Sequence, residues 1–137
     1  VQDGSRCLLT PELVQRVIEA ARKGHDGVVP ALPVSDTIKV AHEGSVVETL
    51  DRSKLHAVQT PQAFRLGLLR DIYAVTEDEL RLATDDASLV ERKGGRVTLV
   101  HGERTNIKLT SPEDIILAEA ILMSRGVRGV SRNGLRH

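Results

Sequence analysis

The sequence is poor in cysteine, and this shortage excludes the chemistries that depend on cysteine pairs. Cys7 is the single cysteine among 137 residues, so no disulfide can form within the chain. A structural zinc site built on several cysteines is unsupported for the same reason. Chains without disulfides are typical of reducing compartments, which predicts such a location. We expect Cys7 itself to be a small residue of the core.

Long apolar runs and an excess of one charge are also missing. No run approaches the ~20 apolar residues that a membrane-spanning helix needs, and no signal peptide is visible. These absences predict a cytoplasmic protein that has no membrane partner. The 19 basic residues balance 19 acidic residues, so nothing indicates wholesale binding to nucleic acid. A basic site on this protein must be local.

The length and the start of the chain bear on its organisation. With 137 residues, 40% hydrophobic and 28% charged, the sequence fits one globular domain with its own core. The chain opens on Val1 rather than methionine and continues directly into QDGSR. We therefore expect it to enter partway through a longer protein.

Helical and extended patterns alternate along the sequence. Thr10-Pro11-Glu12 and Ser111-Pro112-Glu113 each place a hydroxyl cap before proline and a carboxylate, which predicts a helix start. The apolar run GVVPALPV (27–34) is typical of a strand that is buried on both faces. Shorter patterns predict buried strands at 56–58 and 97–100 and helices at 64–75 and 85–93, the last capped by Thr84. The alternation predicts an α/β sandwich with a mostly parallel sheet.

Residues 37–50 have a different residue pattern. TIKVA and SVVETL around Glu43-Gly44 predict a β-hairpin whose strands carry few large apolar side chains. An isolated two-stranded ribbon is only marginally stable in water, so we expect another surface to cover it.

Polar residues collect after the predicted strands, where ligands of α/β sheets bind. Arginine and lysine bind phosphate, and hydroxyl groups complete such a site, so this set favours an anion. No nucleophile–base pair is present, and the five histidines are scattered. The residues concerned are Asp3, Arg6, Ser35, Asp36, Thr37, Lys39, Gln59, Thr60, the loop HGERT (101–105), Asn106 and Lys108.

Each of these residues also has an ordinary structural interpretation. Asp3 is the kind of residue that fills a turn or caps a helix, and Thr60 before Pro61 could cap the next helix. Lys108 could be one more solvated charge, and Arg52 could pair with a nearby carboxylate. Spacing alone leaves these alternatives open.

Four segments taken together resemble one enzyme family. PVSDTIK, ETLDRSKLHAVQTPQAF, TDDASLVE and NIKLTSPEDIILAEAIL occur in this order and at compatible separations. They resemble the 2-C-methyl-D-erythritol 4-phosphate cytidylyltransferases of non-mevalonate isoprenoid synthesis. The resemblance implies that residues 1–123 are the C-terminal part of one Rossmann-like nucleotidyltransferase domain. Within it, a β-arm at about 37–57 would project, and 124–137 would form a flexible basic tail or linker.

The resemblance also implies a reaction and its residues. The family transfers a cytidylyl group from CTP to methylerythritol phosphate and releases pyrophosphate with Mg²⁺ or another divalent cation. Lys108 of N-I-K would stabilise charge at the α-phosphate, and Thr60 of T-P-Q would bind the sugar phosphate. Asp3 would be a catalytic and metal-binding residue, and Arg6 would bind substrate.

The arm carries the last two implied site residues. In the family, the threonine of D-T-I-K and the arginine of D-R reach into the neighbouring subunit's site. The matching residues here are Thr37 and Arg52, so the resemblance implies a homodimer formed through the β-arm. This expectation agrees with the lack of cover on the hairpin.

Parts of the family pattern are different or missing. The family begins with a strand and a glycine-rich loop for the CTP phosphates, and nothing here matches them, so the chain alone would lack the CTP-binding half. The family segment V-H-D-A-A-R-P reads VQDGSRC here, and Thr105 stands where an acid often precedes N-I-K. Two alternatives stay open, a ribitol-5-phosphate cytidylyltransferase and a non-catalytic remnant that dimerises or binds a sugar phosphate.

Overall fold

The computed structural model describes residues 1–74 and 86–126, and within these ranges the chain alternates helices and strands. The predicted α/β class is confirmed. The proposed cap Thr84 and most of the basic tail, from 127 onward, lie outside the described residues. The elements are α1 Pro11–Ala21, β1 Gly27–Pro33, β2 Lys39–His42, β3 Ser45–Thr49, β4 His56–Val58, β5 Ala63–Phe64, α2 Leu66–Tyr73, α3 Asp86–Arg92, β6 Val97–His101 and α4 Pro112–Ser124.

Strand β1 is the centre of the main sheet. It pairs in parallel with β6, and it pairs antiparallel with β4 and β5, so the described sheet is mixed. Ala31 lies opposite both Val58 of β4 and His101 of β6, which places these two strands on opposite edges of β1. Residues 27–31 are buried throughout, as the near-continuous apolar run predicts.

The helix starts follow from local chemistry. Thr10 Oγ1 accepts a hydrogen bond from the Leu13 N–H at 3.2 Å, which caps α1. At the start of α4, Asp114 Oδ2 accepts from the Ser111 N–H at 2.8 Å as half of a capping box. Both predicted helix starts are confirmed.

The strand that runs past β1 is interrupted between β4 and β5. Ala31 pairs with Val58 and Gly27 pairs with Phe64, so the seven residues 58–64 of this edge oppose the five residues 27–31 of β1. The two additional residues are accommodated in the segment 59–62, where the sequence carries Thr60-Pro61. The break that proline predicts is therefore confirmed, and it falls within one sheet edge.

The predicted second helix begins later than its pattern indicates. Phe64 belongs to β5, and α2 starts at Leu66. The Phe64 ring lies 3.0 Å from the position that a Cβ on Gly27 would occupy, so glycine is what allows the two backbones to pair. This long-range pairing overrides the helical pattern of the segment.

The hairpin forms a separate two-stranded sheet of β2 and β3. Glu43 and Gly44 both have positive φ, +49° and +79°, as a primed two-residue turn requires. All residues of both strands are exposed. The predicted hairpin is confirmed, and the described part of this chain does not cover it.

Several apolar surfaces are more exposed than the sequence predicts. Strand β4 is exposed rather than buried, and Leu99 of β6 keeps 46% of its surface. Helix α4 exposes the apolar side chains of Ile115, Ile116 and Leu117, with Ile116 at 68% exposure. Cys7 is exposed, so its predicted place in the core is wrong. Among the described residues, no helix is both long and apolar enough to span a bilayer.

Candidate active site

Residues 3–6 form a turn that the rest of the chain holds firmly. The Arg6 N–H donates to the Asp3 carbonyl at 3.0 Å, and Gln2 Nε2 donates to the carbonyls of Asp3 and Arg6, both at 3.0 Å. The Leu109 N–H donates to the Ser5 carbonyl at 2.9 Å. The side chain of Gln2, where the family pattern has histidine, thus closes the turn that presents Asp3 and Arg6.

Four of the predicted site residues converge from three distant segments. Lys108 Nζ lies 3.0 Å from Asp3 Oδ2, and the Asp3 N–H donates to Thr60 Oγ1 at 3.0 Å. Arg6 Nη1 donates to the Asn106 carbonyl at 2.7 Å, which attaches it to the loop before Lys108. We call Asp3, Arg6, Thr60 and Lys108 the anion cluster.

Two members of the anion cluster keep donors free for a ligand. The Thr60 hydroxyl accepts from Asp3, and the described part of the chain offers its proton no acceptor. An ammonium group has three N–H donors, and Lys108 uses one on Asp3 while its side chain stays 52% exposed. A hydroxyl and an ammonium with spare donors suit a phosphate group.

Asp3 is held in its ionised form. Its pKa is lowered from 3.8 to about 2, first by the Ser5 hydroxyl and Ser5 N–H, and then by Lys108. The Ser5 hydroxyl donates to Asp3 Oδ1 at 2.7 Å and the Ser5 N–H donates to the same oxygen at 3.0 Å. The pKa of Arg6 is lowered by partial burial, an effect that the charge of Asp3 opposes.

We expect Ser5→Ala to raise the pKa of Asp3, because the hydroxyl is the largest cause of its depression. A depressed carboxyl pKa stabilises the fold above pH 3.8, and this contribution is lost as the pH falls toward about 2. The variant should therefore lose less stability over that interval. NMR titration of the Asp3 carboxyl measures the pKa directly.

A second aspartate in the chain supplies the control for this titration. Asp51 accepts from the Ser53 N–H and hydroxyl at 3.1 and 2.7 Å, and Ser53 lowers its pKa in the same way. Ser53→Ala should raise the pKa of Asp51 and leave that of Asp3 unchanged. An Asp3 pKa that does not move in Ser5→Ala would contradict the assignment to Ser5.

The anion cluster offers a divalent cation one carboxylate, that of Asp3. No group of three His, Cys, Asp or Glu side chains in these ranges is arranged to hold a metal. Magnesium is commonly bound by one or two carboxylates together with substrate phosphates and water, so Asp3 fits a cation of that kind. A metal held by protein side chains alone would not fit here.

Thr37 and Arg52 lie apart from the anion cluster. Arg52 Nη1 donates to the Ser35 carbonyl at 2.8 Å at the base of the hairpin, and Thr37 is exposed. Within the described chain, neither residue has a hydrogen bond or ion pair with a member of the cluster. Lys54 rather than Arg52 pairs with Asp51, at 3.6 Å, so the carboxylate pairing considered for Arg52 does not occur there.

Three polar residues that the sequence collects after strands, as parts of a possible anion site, lie beneath the cluster instead. Gln59 and Asn106 are 7% and 0% exposed, and Glu103 lies between β6 and Lys108. A buried amide is recognisable only once the fold is known, although both amides were among the polar residues that follow strands. Arg125 was also missed: it donates to Thr105 Oγ1 at 2.8 Å and to the Leu8 carbonyl at 2.9 Å.

The family of the chain follows from its sequence match. Residues 1–124 match the family model described as 2-C-methyl-D-erythritol 4-phosphate cytidylyltransferase. The chain belongs to this family. A relative of that name from Rubrobacter xylanophilus is 66% identical over 129 residues, which are 94% of this chain and 56% of the relative. Another from Bacillus velezensis is 51% identical over 123 residues, covering 89% of this chain and 53% of the relative.

Solved structures of the family share the fold. The Thermus thermophilus 2-C-methyl-D-erythritol 4-phosphate cytidylyltransferase superimposes with a TM-score of 0.79 at 40% identity, covering 90% of this chain and 60% of that one. The Francisella tularensis enzyme gives a TM-score of 0.80 at 28% identity, covering 88% and 57% of the two chains. The chain thus has the cytidylyltransferase α/β fold and spans about half the length of the relatives that it matches.

Proposed function

We propose that the protein carrying this chain transfers a cytidylyl group from CTP to 2-C-methyl-D-erythritol 4-phosphate. A phosphate oxygen of the sugar alcohol would form a bond to the α-phosphorus of CTP. The bond from that phosphorus to the bridging oxygen would break, and pyrophosphate would leave with the electron pair. The products are CDP-methylerythritol and pyrophosphate.

One observation carries this proposal: the anion cluster assembles from three distant segments in a chain of this family. Its members Asp3 and Arg6 are about a hundred residues from Lys108 in sequence, yet Lys108 lies 3.0 Å from Asp3. A lysine that is only a solvated charge, or an aspartate that only fills a turn, would not require this contact between distant segments. The arrangement supports a common ligand rather than separate structural roles.

The residues of the cluster match what this reaction requires. A phosphate monoester is largely dianionic at neutral pH, since its second pKa is ~6, so the nucleophile needs no general base. The reaction needs alignment and positive charge where negative charge develops on the α-phosphate. We assign that charge to Lys108, and we assign binding of the sugar phosphate to Thr60 and Arg6.

We also propose that a divalent cation such as Mg²⁺ takes part, with Asp3 as its carboxylate ligand. Asp3 supports this role because it is the one carboxylate among the four residues of the anion cluster, and carboxylate oxygens are ligands of Mg²⁺. When bound to nucleotide phosphates, such a cation neutralises charge on the leaving pyrophosphate. In this structure Asp3 Oδ2 forms an ion pair with Lys108, so the same carboxylate also holds the lysine near the site.

A homodimer formed through the β-arm completes the proposal. The exposed apolar side chains of the hairpin, Val40, Val46 and Val47, would be covered by a second copy. Thr37 and Arg52 at the base of the arm would then enter the partner's site. We also propose a cytoplasmic location, since the single cysteine of this chain, Cys7, can form no disulfide within it.

A turnover assay with two acceptors tests the proposal. The protein at its full encoded length should convert CTP and methylerythritol phosphate into the CDP-alcohol and pyrophosphate, both followed by chromatography. Ribitol 5-phosphate is the matched acceptor, since it offers the same nucleophile on a different polyol. A preference for ribitol phosphate would replace the proposed substrate.

The assay also decides between an enzyme and a non-catalytic remnant. Calorimetric binding of methylerythritol phosphate without turnover of either acceptor would favour the remnant. The specific reason to include this outcome is the length of the chain, which spans 56% of its relative from Rubrobacter xylanophilus.

A further inference from the structure

A buried glutamine reaches across the central strand just below the anion cluster. Gln59 follows β4, and Glu103 follows β6 after one residue, so the two lie on opposite sides of β1. Gln59 Nε2 donates to the Glu103 carbonyl at 2.8 Å, and Gln59 Oε1 accepts from the Glu103 N–H at 3.0 Å. The side-chain amide therefore satisfies both backbone groups of Glu103, as a neighbouring strand would.

Gly102 supplies the space in which this amide lies. A Cβ on Gly102 would be 2.6 Å from Gln59 Oε1 and 3.2 Å from the backbone of Ala31. The contact with Ala31 is to main-chain atoms, which cannot rotate away. Glycine at this position is therefore matched to the amide of Gln59.

Asn106 makes the reciprocal contact in the other direction. Its Nδ2 donates to the Thr60 carbonyl at 2.8 Å, and its own carbonyl accepts from Arg6. Each amide thus comes from one loop and binds the backbone of the other. We call these contacts among Gln59, Thr60, Glu103 and Asn106 the amide lock.

We infer that Gln59 and Asn106 are positioning residues that fix the separation between Thr60 and Lys108. Gln59 directly precedes Thr60, and Asn106 stands two residues before Lys108. This inference rests on the proposed function, because it assigns the lock to alignment of the proposed phosphate ligands. The lysine tether to Asp3 is exposed to solvent, whereas the lock is buried and holds the backbone itself.

The lock matters because alignment limits this kind of reaction. The proposed step has no proton transfer, so its rate depends on placing two phosphates and the cation Lys108 in line. Loss of the lock would let the loop 102–108 move against Thr60. Ground-state binding would suffer less than turnover, since an exposed lysine can still reach a phosphate from a looser loop.

Gln59→Met tests the inference, because methionine has similar length and neither hydrogen-bonding group. In the protein at its full encoded length, kcat should fall about tenfold or more while KM for both substrates stays within about twofold. The Glu103 amide proton should exchange with solvent about tenfold faster or more, because its acceptor is gone. Amides of β1 should exchange at unchanged rates.

Gly102→Ala is a second test of the amide lock. Its methyl group would displace the Gln59 amide, so kcat should fall. Gln15→Met is the control, since Gln15 is a surface residue whose side chain, among the described residues, donates to Glu19. Unchanged kcat in Gln59→Met, a rise in KM alone, or faster exchange throughout β1 would each overturn the inference. A wild-type protein without turnover would refute the proposed function, and exchange at Glu103 would still test the lock.

Discussion

Replacing Lys108 by alanine should lower kcat about 10²–10³-fold and change KM much less, because the ammonium acts where charge develops. Removal of one such group commonly raises the barrier by ~2.7–4 kcal/mol. The effect should exceed any loss of stability, since Lys108 is half exposed and solvent screens its ion pair with Asp3.

Steady-state kinetics of the protein at its full encoded length measure this effect. Lys23→Ala is the matched control, because Lys23 is exposed at the end of α1 and has no contact with the anion cluster. Thr60→Ala supplies a contrast: it removes the hydroxyl that accepts from the Asp3 N–H and would donate to the sugar phosphate. It should mainly raise KM for the sugar phosphate, by an amount equivalent to ~1 kcal/mol of binding free energy. Full turnover by Lys108→Ala would show that the role given to Lys108 is wrong.

The elements of this fold that sequence predicts well are those determined locally. The cap at Thr10 and the buried run of β1 need no information from distant residues. Phe64 shows the limit, since its helical pattern is overridden when it pairs with Gly27, which has no side chain to obstruct the ring. Burial was harder still, as the exposed face of α4 shows, because it depends on what packs against each element.

The candidate site divides in the same way. Asp3, Arg6, Thr60 and Lys108 were identified by resemblance to a family, and the structure brings them together. The sequence does not indicate the positioning role of the residues that arrange them, because their contacts span long sequence separations. Gln59, for example, binds Glu103 across 44 residues.

Departures from the family pattern also acquire a meaning in the structure. Ser5 stands where the family segment has alanine, and its hydroxyl makes the largest contribution to the low pKa of Asp3. An alanine could not make this hydrogen bond. The altered segment therefore retains the turn and strengthens the acidity of Asp3. This argues against interpreting VQDGSRC as the degenerate motif of a non-catalytic remnant.

Mixing two inactive variants should restore activity if the β-arm works across the dimer. A hybrid of Lys108→Ala and Arg52→Ala chains would contain one doubly defective site and one intact site, because Arg52 would serve the partner's Lys108. Equal mixing after exchange of subunits should recover roughly a quarter of wild-type turnover, since half of the dimers are hybrids with one good site. Each variant alone should stay far below that value.

The control mixture combines Lys108→Ala with Asp3→Ala, whose residues belong to one anion cluster in a single chain. Every site in that hybrid keeps one defect, so wild-type sites cannot form and no recovery is expected.

Light scattering of the wild-type protein should give a dimer, and deletion of the turn at Glu43-Gly44 should weaken association together with turnover. Two hairpins that pair would bury apolar surface that this chain leaves exposed, within the ~1,200–2,000 Å² typical of stable interfaces. A monomer at high concentration, or no recovery in the mixture of Lys108→Ala with Arg52→Ala, would show that Arg52 does not act across a dimer, and the exposed hairpin would then require a different partner.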